Sequence, residues 1–115
     1  MLKIFLMSYS VITIKTFEKQ VKRLTKKYFS LKNELLELVK NLKENPKQGT
    51  SIGDNCYKIR LSIFSKGKGK SGGARVIINV VITAEIVYLL NIYDKSEKEN
   101  LTTKELQELL KEISM

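Results

Sequence analysis

The chain has 115 residues, enough for one domain with a single modest hydrophobic core and too few for two. Its apolar fraction of 43% excludes a disordered chain, and 21 Lys and Arg against 12 Asp and Glu give a net charge of +9, which attracts polyanions and nucleic acid first among them. One cysteine and no histidine exclude an internal disulfide and leave a transition metal almost without ligands, so neither a metal nor a cofactor is expected.

The apolar opening MLKIFLM is too short for the core of a signal peptide followed by a cleavage site. No segment has the length of a membrane span, and a cytoplasmic location is expected. Residues 1–6 are set aside as an upstream start or a disordered tail, and residues 7–115 are read as one domain. Ser8 to Lys15 (SYSVITIK) is rich in β-branched residues and predicts a strand. Thr16 is the predicted N-cap of a helix, FEKQVKRLTKKYF, with Phe17, Val21, Leu24 and Phe29 turned inward. Lys19, Lys22, Arg23, Lys26 and Lys27 take its other faces. Ser30 is the predicted cap of a second helix, whose stripe is Leu31, Leu35, Leu38, Val39 and Leu42 and which Pro46 ends. The two predict a helical hairpin packed on a sheet.

The stretch PKQGTSIGDN reads as a loop. In the strand that follows, CYKIRLSIF, Tyr57, Ile59, Leu61 and Ile63 alternate with Lys58, Arg60 and Ser62. Cys56 at its start is expected to be a small core side chain. Residues 74–82 and 85–93 are two more apolar strands at hairpin distance, giving an antiparallel meander of three. Thr102 with Glu105 three residues later is a capping box for a last helix carrying Leu106, Leu109, Leu110 and Ile113. The fold class is therefore α+β, in the order βααβββα: an antiparallel sheet with an N-terminal helical hairpin and a C-terminal helix, with helices on one face.

Between Asn55 and Ala84 lie Lys58, Arg60, Lys66, Lys68, Lys70 and Arg75, and no acidic residue. Strand alternation puts Lys58 and Arg60 on one face, opposite the apolar set, and a hairpin lets Arg75 join them. The loop KGKGKSGG that follows contains Gly-Lys-Ser, the end of a phosphate-binding P-loop. The glycine needed five residues earlier is Phe64, and a strand follows instead of a helix, so no nucleotide site is expected. Its glycines instead suit tight turns, and Lys66, Lys68 and Lys70 suit phosphates of mRNA or ribosomal RNA. Lys22 and Lys26 of the first helix are candidates to extend this RNA-facing set, although a solvated face is the preferred reading for the helix lysines.

Guanidinium binds phosphate oxygens bidentately and ammonium supplies a point charge, so the 58–75 cluster suits an RNA backbone. No histidine pair is present for acid–base cleavage. RNA cleavage by attack of the ribose 2′-hydroxyl requires only that cations stabilise the crowded phosphate while a lysine, tyrosine or carboxylate takes the proton. Lys58, Tyr93, Asp94 and Lys95 are the candidates, and the residues alone do not choose among them.

CYKIRL, then GKGKSGGARVI, then YLLNIYDKSEKENLTTKEL resemble the RelE/ParE superfamily of type II toxin–antitoxin toxins, above all its RelE-like and HigB-like members. The similarity runs over roughly residues 9–113. It implies a metal-independent endoribonuclease that cuts mRNA on the translating ribosome, held in check by a cognate antitoxin and, through that antitoxin, able to meet promoter DNA. By the same resemblance Lys58 would accept the proton and Arg60 and Arg75 would stabilise the phosphate. Tyr93 and Lys95 join the catalytic set as candidates named from the residues, and a tyrosine that some members carry near the C-terminus has no counterpart after Tyr93. The family's RelE pattern has an arginine directly after the lysine that corresponds to Lys95, and here Ser96 stands in its place. The superfamily also contains ParE-like gyrase poisons on the same fold, and a non-catalytic component binding RNA or DNA is a third reading.

Overall fold

The computed structural model describes residues 8–67 and 72–113. Strand β1 (Ser10–Thr13) leads into helices α1 (Lys15–Lys27) and α2 (Leu31–Glu44). Strands β2 (Thr50–Gly53), β3 (Cys56–Leu61), β4 (Ala74–Val81) and β5 (Ile86–Asp94) follow, and helix α3 (Thr103–Ile113) closes the order. A 3₁₀ turn, Phe64–Lys66, follows β3. The sheet order is β1-β5-β4-β3-β2, with β1 parallel to β5 and every other pair antiparallel. The α+β class and its helical hairpin, meander and terminal helix are those the sequence predicts.

The meander gains a fourth strand from the stretch read as a loop. Thr50 and Ser51 pair with Lys58 and Tyr57, and the chain reverses through Asp54 and Asn55, both at positive φ (55° and 59°). Asp and Asn tolerate that left-handed conformation, which a two-residue hairpin turn demands. The strand lacks the apolar alternation that would have announced it. Before it, Gly49 holds φ at 88°, and a Cβ there would stand 2.3 Å from the Lys58 carbonyl oxygen. Only glycine lets the backbone approach β3 so closely.

Strand β4 is buried from Ala74 to Val80, so both faces of the sheet are covered. On one face α1 and α2 pack through Phe17, Leu24, Tyr28, Leu31, Leu35, Leu38 and Leu42. There the Tyr28 hydroxyl donates to Asp94, and the Gln20 side-chain oxygen accepts from the Ile92 amide at 2.8 Å. Helix α3 lies on the opposite face, where its Leu106 shares a cleft with Lys58 and Ile77. The expectation of helices on one face is thus corrected: α3 shields the far side of the central strands.

Local readings shift for definable reasons. Helix α1 starts after Ile14 without a side-chain cap, and the Thr16 hydroxyl instead meets Glu112 of α3. The helix ends at Lys27, and Tyr28 continues the inward spacing four residues after Leu24, so Phe29 points out at 82% exposure rather than into the core. Strand β3 stops at Leu61, so Ile63 is buried while Phe64 is 81% exposed. Cys56 is buried, and burial pushes its thiol pKa up, as suits a core residue. The capping box forms as predicted: the Thr102 amide donates to Glu105 Oε1 at 2.8 Å, and the Glu105 amide donates to Thr102 Oγ1 at 3.1 Å.

Candidate nucleic-acid interface

Register decides which cations meet. Arg60 of β3 lies opposite Arg75 of β4, which lies opposite Tyr93 of β5. Residues directly opposite across a ladder share a face, so the three form one row. One ladder step on, Lys58, Ile77 and Asn91 form the next row on the same face. This is the face of α3, with Arg60 exposed, Lys58 half-buried, and Arg75 and Tyr93 each at 5% exposure.

Lys58 Nζ donates to Asn100 Oδ1 at 3.4 Å, which ties it to the segment before α3. The two border a cleft of about 180 Å³ with Ile52, Ile77, Thr103 and Leu106. Arg75 Nη1 donates to the Ala74 carbonyl at 3.2 Å. The Tyr93 hydroxyl and Asn91 Oδ1 are buried without a hydrogen-bond partner among the described residues. Burial raises the Tyr93 pKa, the neighbouring Arg75 charge works against that, and Glu105 adds to it. The phenol therefore holds its proton at neutral pH and can act as a donor. Asn91 and Asn100 escaped the sequence reading; an asparagine inside the apolar run IVYLLNIYD was the available signal.

Lys95 sits two residues beyond Tyr93. Its amide donates to the Gly73 carbonyl at 3.0 Å, prolonging the β4–β5 ladder, and its Nζ donates to the Glu99 carbonyl at 2.8 Å. Asp94 points the other way and is no candidate base. It is fully buried on the helical-hairpin face, where it accepts from Lys66 Nζ, the Tyr28 hydroxyl, and the Ser96 amide and hydroxyl. Burial opposes its charge, but the hydrogen bonds from Lys66, Tyr28 and Ser96 outweigh it and hold its carboxyl well below the usual carboxylate range.

Lys66 is accordingly no outward loop lysine. Its side chain is 8% exposed and its ammonium is spent on Asp94 and on Ser96 Oγ at 3.1 Å, because a buried carboxylate requires a cation. Lys22 and Lys26 are exposed on α1. Lys68 and Lys70 lie outside the described residues. Among the described residues no group of three His, Cys, Asp or Glu side chains converges, and no helix is long and apolar enough to cross a membrane.

A small mixed sheet, clasped by a helical hairpin on one side and a short helix on the other, carries a row of two arginines and a tyrosine across three strands, the build of a small basic α+β domain with an anion-facing sheet. The family model for the RelE toxin of the RelE/RelB toxin–antitoxin system matches residues 13–115, and the chain belongs to that family. It is a type II toxin, and its family implies an antitoxin partner. Two solved structures share the fold. A double arginine-to-alanine mutant of Escherichia coli toxin RelE in the free state superposes with a TM-score of 0.62 at 18% identity, over 93% of this chain and 99% of that one. The isolated E. coli RelE toxin gives 0.58 at 18%, over 91% and 98%.

Proposed function

We propose that the chain is a ribosome-dependent mRNA endoribonuclease of the cytoplasm that arrests translation until its antitoxin covers it. The observation that carries this reading is the Arg60–Arg75–Tyr93 row with Lys58 one step away. Arg60 is the accessible grip on the scissile phosphate, and Arg75 beneath it stabilises the charge gathered on the non-bridging oxygens. The ribose 2′-oxygen attacks phosphorus as its proton passes to the neutral amine form of Lys58, which becomes the ammonium. The bond from phosphorus to the 5′-oxygen breaks, and the Tyr93 phenol protonates the leaving oxygen. The products are a 2′,3′-cyclic phosphate and a 5′-hydroxyl end, with no metal required. Lys95, Lys22 and Lys26, together with Lys68 and Lys70 of the glycine-rich loop, hold flanking phosphates of mRNA and ribosomal RNA. An acidic antitoxin segment would complement the same face.

The test is induction in a host lacking the antitoxin, with mRNA 5′-end mapping for wild type, Arg60→Ala and Arg75→Ala. New translation-dependent ends in wild type, lost in both variants while the proteins remain folded, are the expected result. Growth arrest with intact mRNA would overturn the nuclease reading in favour of a gyrase poison, and no arrest would leave a non-catalytic component.

A further inference from the structure

Phe29 and Phe64 leave most of their rings in water, at 82% and 81% exposure. They belong to different elements yet flank one junction. The Ser30 and Ser65 hydroxyls, one residue beyond each, lie 2.9 Å apart. The Ser65 amide donates to Ser30 Oγ at 2.9 Å, and the Phe64 amide donates to Glu34 Oε2 at 2.6 Å. Both rings thus project from backbone held in place by hydrogen bonds. The junction stands beyond the Leu61–Ala74 pair, at the end of the sheet where β3 and β4 part, and its hydrogen bonds tie it to the side of the helical hairpin.

We propose that Phe29 and Phe64 form a stacking platform for unpaired nucleobases of a single-stranded RNA that passes round this end of the sheet, on the side of the helical hairpin. The inference rests on the reading that this chain acts on RNA. Two separate π-faces flanked by exposed Lys26 and Lys32 match alternating bases and phosphates. Glu34 is the nearby carboxylate, and its oxygens are engaged by the Phe64 amide and the Ser30 hydroxyl. The junction itself is polar, built by Ser30, Ser65 and Glu34, whereas a protein partner would want a continuous apolar patch. The exposed aliphatic Leu36 leaves α2 about 200° around the helix from Glu34. Duplex RNA hides its base faces, so the platform selects single strands.

The chain has no tryptophan, so Phe29→Trp and Phe64→Trp each install a sole indole reporter in the full-length protein. Titration with a short single-stranded RNA should quench that fluorescence, and the same sequence as a duplex should not. Phe29→Ala and Phe64→Ala should each weaken single-strand binding about tenfold with an unchanged salt slope. Phe64→Tyr should restore binding and Phe64→Leu should not. Alanine variants that bind like wild type, a leucine variant that does so, or equal quenching by duplex would each overturn the platform. So would alanine variants that keep RNA binding but lose the co-expressed antitoxin, which would make the junction a protein site. Wild type that binds no single-stranded RNA would overturn the platform alone, while absence of new translation-dependent mRNA ends in the induction experiment would overturn the RNA reading on which it rests.

Discussion

Lys66 and Asp94 bring opposite charges into a site that water barely reaches. Each solves the other's problem: the carboxylate cannot stay ionised when buried alone, and the ammonium, on a side chain 8% exposed, would have no counter-charge without it. Their folded-state preference fixes the sign of a pH effect. The Asp94 carboxyl is held below its ordinary value of 3.8, so the pair's stabilisation is fully present above that pH and fades as pH falls beneath it. Asp94→Asn should cost about 3 kcal/mol at neutral pH and flatten the loss of stability below pH 4, both read from urea midpoints across pH. A variant as acid-sensitive as wild type would show that other carboxylates govern acid unfolding. Nothing in KGKGKSGG distinguishes Lys66 from Lys68 or Lys70, because the distinction is made by Tyr28 and Ser96, 38 residues upstream and 30 downstream of Lys66 in the numbering. The Lys58, Arg60 and Arg75 alignment, by contrast, follows from period-two alternation and was legible. Ser96, where the resemblance implies an arginine, contributes a hydroxyl and an amide to Asp94 rather than a cation to the face of α3.

At the scale of elements, periodicity located the helices and turn chemistry located their joints. The capping box at Thr102 was readable because both partners are local and face each other whatever the rest of the chain does. Strand β2 was not, since its stability comes from pairing with β3 rather than from its own side chains. The covering of both sheet faces was equally hidden, because an amphipathic helix declares which side is apolar and not which surface it will meet. Two changes test these joints. Thr102→Ala should cost about 1 kcal/mol by removing the cap of α3, measured by thermal or urea unfolding. Gly49→Ala should cost more, about 2 kcal/mol or above, because a positive φ and a contact with the Lys58 carbonyl both resist a methyl group. If Gly49→Ala is neutral, the close approach of that backbone to β3 is not maintained in solution. A displaced Lys58 should also lower cleavage in Gly49→Ala beyond what lost stability explains, since β2 and β3 shift together.

For the whole molecule, in the proposed function, the charge of +9 would set the range and salt sensitivity of attraction to RNA, while the sheet rows would set where the backbone settles. Lys22 and Lys26 stand apart from the Arg60–Arg75–Tyr93 row, so their neutralisation should weaken RNA binding without abolishing chemistry on bound RNA. Each lysine removed should flatten the dependence of log K on log salt by about 0.7 for a single strand. An unchanged slope for Lys22→Gln with Lys26→Gln would assign α1 to a solvated surface. The sheet order has a further consequence, in time rather than in space. Strand β1 finds its partner only in β5, Ser10 opposite Ile86, and the row that would grip phosphate takes one residue from each of β3, β4 and β5. Long-range pairing of this kind forms late. While this chain is still being synthesised, no fragment that stops short of β5 holds the complete row, and the sheet that carries it closes only when the first strand docks beside the last.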